Sequence, residues 1–294
     1  MRISQSALDK CEPLFAEFID VMGEIGKYHA RSFQDRHDSR DLHSETLRVL
    51  VSYELDRSQA AYCLIVNGLV WDAEIIVRAL YETVAKILLI ATADTKDRED
   101  ILTEYWEVLP AIYDRKGAQK AQAAENLARR FGSPAEARVF AHLRNPEIYK
   151  IDPTGNKRLR REIEQRWSFS GIVDSMRKKK PSEGGLDGIE ALSHIYGMSS
   201  HLAHASPKAL DMMHDRVTRG KDLQALEVAH ICRMLSDMTS LACFGAYLCE
   251  RSWTGVTGMP GLLAVQFKRM HDCTQPYQTD FDRSQDDFYA QWTA

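Results

Sequence analysis

The chain has 294 residues, with 44% hydrophobic and 27% charged side chains, which makes it globular and excludes a disordered polymer. A formal net charge of −4 excludes any global attraction to nucleic acid or anionic lipid, so such a partner would need a local patch. Asp9, Lys10, Glu12 and Glu17 interrupt the first apolar residues, and Arg78 and Lys86 break the longest apolar runs. No signal peptide and no membrane span are expected, and the expected location is cytoplasmic.

Apolar residues at helical spacing from Leu8 to Ile25 predict a first helix over 4–33, with Pro13 inside it. The polar run Gln34 to His43 is a connector. Ser44 is the expected cap of a second helix, which carries Leu47, Leu50, Val51, Leu55, Tyr62 and Ile65 inward and stops at Asn67-Gly68. Asp72 is the expected cap of a third, apolar on nearly every side through Ala93, as a centrally buried helix should be. The short turn between them predicts an antiparallel hairpin over about 44–94. Arg78 and Glu82 stand four apart inside this apolar helix and are expected to form a buried pair, since charges there need partners.

Ile101, Leu102, Tyr105, Trp106 and Leu109 mark a fourth helix, and 117–131 is helical by propensity. Ser133-Pro134-Ala135-Glu136 is a helix start with a serine cap and a glutamate reaching back, and the helix should run to Leu143. Residues 144–156 are expected as loop. A basic helix over 157–167 follows, then one started by Ser168 or Ser170 that ends in Arg177-Lys178-Lys179-Lys180. Pro181 to Gly188 is a breaker, and Asp187 with Glu190 should cap a helix running to Ala205. The last long helix covers Asp222 to Trp253. A short helix, Pro260 to Cys273, then precedes an acidic aromatic tail. The six cysteines include no Cys-x-x-Cys pair and are expected as reduced core residues. Strand patterns, internal repeats and a glycine-rich phosphate loop are all absent from the sequence.

Together these features predict an all-α, multi-helix bundle built on the central hairpin. One domain is expected over 1–253, with the short helix and tail over 254–294.

Four constellations carry chemistry. Tyr196, Ser200 and His204 at i, i+4 and i+8 line one stripe, and with Arg78 and Glu82 they form either a site or a hydrogen-bond network that fixes helix pairing. Asp211-x2-His214 and Glu227-x2-His230, with His201-x2-His204, match the acidic-x2-His spacing of helical metal sites. Such sites need further inward carboxylates, and only Glu82 is an obvious one, so neither a metal nor any other cofactor is expected. Between Arg144 and Lys180, eleven Lys or Arg face five Asp or Glu. Within that segment, Lys157, Arg158, Arg160, Arg161, Lys178, Lys179 and Lys180 are the candidate RNA contacts, or else a solvated face. The acidic tail is the candidate contact for a protein partner or a second copy of the chain.

Arg78-Ala79-Leu80-Tyr81-Glu82 after a Gly-containing turn, Trp167-Ser168 opening a short helix, and Tyr196-x3-Ser200-x3-His204-x2-Pro207 resemble the markers of a bacterial helical family. That family is catalogued only as domain-of-unknown-function family 5677. The resemblance spans about 45–210 and implies an all-helical fold in which these positions matter, with no chemistry attached. In general shape the family is similar to the HEPN group of RNA-cleaving bundles. Those place arginine and histidine on one helix as Arg-x4-6-His, to hold phosphate and move a proton. Here Ser200 occupies the position four before His204, and the matching Arg31-x5-His37 lies at a helix end. The expected function is therefore a non-catalytic binding or assembly module with a buried polar network. The alternative is a HEPN-like RNA-directed hydrolase of bacterial stress or phage defence, using His204 as acid/base and Arg78 as phosphate holder, with Glu82, Tyr196 and Ser200 in support.

Overall fold

The computed structural model describes residues 2–34, 41–143, 156–179, 191–218 and 223–290, and no strand occurs among them. In chain order the helices are α1 (Gln5–Gln34), α2 (Leu42–Val66), α3 (Val70–Ala91), α4 (Thr95–Thr103), α5 (Leu109–Phe131) and α6 (Pro134–Leu143). They continue with α7 (Lys157–Arg166), α8 (Phe169–Lys178), α9 (Ala191–Ala203), α10 (Pro207–Thr218), α11 (Leu223–Thr254) and α12 (Gly261–Ala290). The protein is all-α, as its sequence pattern predicts. No helix among the described residues is long and apolar enough to cross a membrane.

Internal contacts divide the chain into two compact units, residues 1–92 with 172–294, and residues 93–171. In the first, α2 and α3 pair as the predicted hairpin, and α11 packs along α3, α1, α2 and α12. Gly68 closes the hairpin at φ +76°, and its carbonyl accepts from the Ile3 amide at 3.0 Å. The left-handed turn comes cheaply at glycine and turns the chain within three residues. Both expected caps shift by a few residues. Asp41 caps α2 and accepts from Ser44 N at 2.8 Å, so Ser44 is the capped residue rather than the cap. Leu69 precedes α3, and Asp72 lies in its first turn, where a carboxylate favours the positive end of the helix dipole.

Val77, Leu80, Val84, Ile87, Leu88 and Ile90 of α3 are buried, as its all-round apolar character predicts. The stretch expected as a short helix plus tail is one helix, α12, which passes through Pro276 and packs on α1 and α11. Apolar Leu263, Met270 and Ile25 bury against these neighbours, and tertiary packing of this kind outweighs the cost of an internal proline. The expected loop over 144–155, breaker over 181–188, Asp187/Glu190 cap, His37 and Lys180 lie outside the described residues. None of the cysteines is disulfide-bonded, and Cys11, Cys232, Cys243 and Cys249 are buried.

In the second unit, the two expected stretches around 101–109 and 117–131 join into a single rod. A π-helical turn, Glu104–Val108, links α4 to α5 just before Pro110. Pro110 has no N–H to donate and its ring crowds the preceding turn, and the wider π turn relieves both. Trp167 Nε1 donates to Glu104 at 2.9 Å and Arg166 pairs with the same carboxylate at 3.0 Å, so α7 is fastened to that turn. Ser133 and Glu136 form the predicted capping box, with Ser133 N donating to Glu136 at 2.9 Å and Glu136 N donating to Ser133 at 3.2 Å. Ser168 Oγ accepts from Gly171 N at 3.0 Å and so starts α8. A Cβ at Gly171 would sit 1.8 Å from Gln165 O, which makes glycine obligatory at this corner.

Glu54 of α2 is fully buried, and neither carboxylate oxygen has a partner among the described residues. Burial pushes its pKa well above the usual carboxylate range. The folded state therefore holds a proton that the unfolded chain releases above 4.5, and stability falls by up to about 1.4 kcal/mol per pH unit above that point. Glu54→Met is expected to raise stability at neutral pH by about 1 to 3 kcal/mol. The gain should shrink on acidification to pH 4, and parallel chemical denaturation at the two pH values checks it.

Candidate functional site

Three charged residues of α3, Glu74, Arg78 and Glu82, lie at i, i+4 and i+8 and so share one face. That face receives α9. Tyr196 of α9 bridges the outer pair: Arg78 Nη2 donates to the phenol oxygen at 3.1 Å, and the phenol donates to Glu82 Oε1 at 3.0 Å. The guanidinium also lies over the Tyr196 ring, 5.1 Å from its centroid. Arg78 Nε and Glu82 Oε1 are 3.2 Å apart, and Arg78 Nη1 lies 3.5 Å from His204 Nε2.

The structure thus brings together Arg78, Glu82, Tyr196 and His204 as the sequence suggests, with two corrections. The Arg78–Glu82 pair is half-buried rather than buried, its side chains being 20% and 36% exposed. Ser200 is half-exposed and makes no side-chain hydrogen bond to the cluster among the described residues. Its neighbour Ser199 is the buried serine of α9, and it donates to Glu74 Oε2 at 2.9 Å. His204 is exposed, just past the end of α9.

The deeply buried charge of α3 is Glu74, one turn earlier, with its side chain 3% exposed. Its carboxylate takes His230 Nε2 at 2.6 Å, is paired with Arg233, and accepts the Ser199 hydroxyl. Arg233 continues to Asp237 at 2.6 Å, and Asp237 accepts from Tyr81. On the other side of the imidazole, Arg216 Nη1 lies 2.6 Å from His230 Nδ1 while its guanidinium rests 4.6 Å from the Trp71 ring centroid. An arginine can only donate, so Nδ1 is the acceptor and the ring's hydrogen sits on Nε2, facing Glu74. Burial and the Arg216 charge push the His230 pKa down to about 3, and the ring is neutral.

This network lines a pocket of about 260 Å³ between α3, α9, α10, α11 and α12, walled by Trp71, Met198, Leu202, Met212, Leu226 and Phe281. Sequence reasoning missed it, although the signal exists. Glu74 is a third charge in register with Arg78 and Glu82, and His230, Arg233 and Asp237 recur at helical spacing in an otherwise apolar α11.

The other candidates scatter. Glu227 accepts from Ser4 N at 3.2 Å, and so caps α1 instead of pointing with His230 at a common centre. Asp211 and His214 are exposed. Among the described residues, no three of His, Cys, Asp and Glu converge as a metal would require. Buried carboxylates are nonetheless more numerous than the sequence suggested, Glu54, Glu74, Glu125 and Glu227 all being nearly inaccessible, each in a separate setting. Lys157, Arg158 and Arg161 are exposed on α7 and Arg160 is half-exposed, with Arg158 paired to Glu162 at 2.7 Å, whereas Lys178 and Lys179 belong to the other unit.

Fold and site define an all-helical protein with a pocket lined by a buried polar network. A family model described as a family of unknown function (DUF5677) matches residues 47–222, more than half of the chain, and the chain belongs to that family. Neither a curated protein nor a solved structure matches it.

Removing Glu74 strips buried His230 and half-buried Arg233 of the carboxylate they share, so Glu74→Ala is expected to cost about 3 to 5 kcal/mol. Glu82→Ala, at the half-exposed pair, is expected to cost about 1 kcal/mol. Urea denaturation of both variants checks the ranking, which inverts if α9 is held mainly by the outer cluster. Acid should act through His230 and through His29, whose pKa burial lowers to about 4. Both rings are neutral when folded and charge in the unfolded chain below 6.5. Their contribution is therefore complete above pH 6.5 and is lost as the pH falls toward 4 and 3, which melting curves in that window would record.

Proposed function

We propose that the protein is a non-catalytic binding module and that the pocket beside Glu74 and His230 is where it takes a small ligand. The observation that carries this reading is the pocket itself, a concave apolar space with a few fixed polar groups, which is the usual make-up of a small-molecule site. Its polar groups are bound to one another in a chain from Ser199 through Glu74 and His230 to Arg216, an arrangement suited to holding shape. No nucleophile stands beside a free base in that chain. A protein partner or a second copy of the chain would meet the outer face of α12, where Val265 and Phe267 are exposed.

A second reading rests on one observation, the exposed His204 with Arg78 at 3.5 Å. There the protein is an RNA-directed hydrolase, with Arg78 on phosphate and His204 as acid/base. Arg78, however, is already engaged by Glu82 and Tyr196, which offset its charge and occupy donors that a phosphate would need.

One experiment separates the two. Fragment-sized molecules are screened by ligand-observed NMR against wild type, Met212→Trp, which fills the pocket, and His204→Ala. All three proteins are also incubated with labelled RNA and melted. Binding lost only in Met212→Trp, with no RNA cleavage and little change in the melting of His204→Ala, is the expected result. An exposed imidazole supports little, so that variant should cost under about 1 kcal/mol, less than a buried histidine would. RNA cleavage lost in His204→Ala with an unchanged midpoint would move the function to the outer cluster.

A further inference from the structure

Apart from any ligand, we propose that Cys11 of α1 and Cys232 of α11 are a site of oxidative modification, a facing pair of buried thiols that hydrogen peroxide closes into a disulfide clamp between the two helices. The register of the helices puts the sulfurs together. Ser4 N donates to Glu227 at 3.2 Å near one end of the seam, and further along Val21 and Ile25 pack in one cluster with Ala242, Cys243 and Ala246. Between those fixed points Cys11 and Cys232 are 0% and 2% exposed, and their thiols are hydrogen-bonded to each other. A third thiol, the half-buried Cys273 of α12, stands nearby. Tyr277, one turn beyond it, lies beside all three sulfurs and donates its hydroxyl to the Lys10 carbonyl at 3.3 Å. Among the described residues no three such groups converge as a metal would require, which leaves the contacting pair to react with each other.

The chemistry follows from which thiol is the acid. A thiol buried among apolar groups is normally inert, because burial pushes its pKa up, and Cys243 and Cys249 behave in this way. Cys11 differs. The Cys232 S–H donated to it, with the nearby charge of Lys10, holds it below the usual thiol range, while the same bond and burial push Cys232 up. Cys11 is therefore the attacking thiolate. Its sulfur takes one oxygen of the peroxide, the O–O bond breaks, and the departing hydroxide leaves as water once protonated, giving a sulfenic acid. Cys232 sulfur then attacks Cys11 sulfur, the S–S bond forms, the S–O bond breaks, and the hydroxyl departs as a second water with the Cys232 proton. Two thiols have lost two electrons and the peroxide has gained them. A neutral, water-sized oxidant suits a pair this deep, since local opening near a chain terminus is enough to admit it.

The test uses the reduced full chain, treated with hydrogen peroxide, alkylated with N-ethylmaleimide and digested for peptide mass spectrometry. The expected product is a peptide pair linked through Cys11 and Cys232, two hydrogens lighter than its parts, that dithiothreitol separates again. Closing so long a loop should raise the melting midpoint of the oxidised protein by about 5 °C or more. Cys273→Ser should keep both the link and the shift. In Cys232→Ala the Cys11 sulfenic acid should persist and be captured by dimedone. Should that variant not fold, as circular dichroism would show, the wild-type linkage map still decides.

Absence of the linked pair at a peroxide dose that oxidises the exposed Cys63 overturns the proposal, as does over-oxidation of Cys11 to the sulfinic acid without a link. Linkage mainly through Cys273, or loss of the link in Cys273→Ser, overturns the assigned pair. A link that forms without raising the midpoint overturns the clamp.

Discussion

Burying one carboxylate constrains the whole first unit. Glu74 lies in the second turn of an apolar helix, and an ionised group buried there is tolerable only when several donors converge on it. Ser199 of α9 and His230 and Arg233 of α11 are those donors, so the position and rotation of two helices against α3 are set by a single side chain. Apolar packing alone would leave such helices free to slide by a turn at little cost. A polar group that must be met at one place removes that freedom, and specificity of pairing is the best-attested use of buried polar residues.

The same network explains why there is a pocket at all. Arg216 of α10 rests on Trp71 and His230, and the space beside them is lined with methionine and leucine. Tight packing would need apolar contact at that point, and the polar chain prevents it. The outer cluster of Arg78, Tyr196, Glu82 and His204 extends the α3–α9 seam toward solvent, where each contact contributes less.

Much of the fold was legible because helical periodicity is a local signal. The α2–α3 hairpin, the Asn67-Gly68 stop and the Ser133/Glu136 box follow from spacing and turn chemistry alone. The partnership of Arg78 with Glu82 and Tyr196 was legible too, since charges in an apolar helix must find something. What sequence could not show was depth. Arg78 and Glu74 look alike in the chain, and only the three-dimensional arrangement reveals that α11 covers one and leaves the other at the edge. The joining of α4 to α5 through a π turn, and the passage of α12 through Pro276, also escaped, because proline reads locally as a breaker whereas packing over a whole helix decides the outcome.

The bonds of Ser4 to Glu227 and of Ile3 to Gly68 have a consequence in time. The amino end of α1 is completed by a carboxylate 223 residues later, and the unit to which it belongs is split in sequence by the 93–171 segment. As the chain leaves the ribosome, the α2–α3 hairpin and the intervening segment have all their local contacts before α11 exists. Such long-range closure slows assembly of the first unit, and α1 keeps an open cap and an unfilled apolar flank until most of the chain has been made. During that interval α1 is the element that needs shielding from other chains.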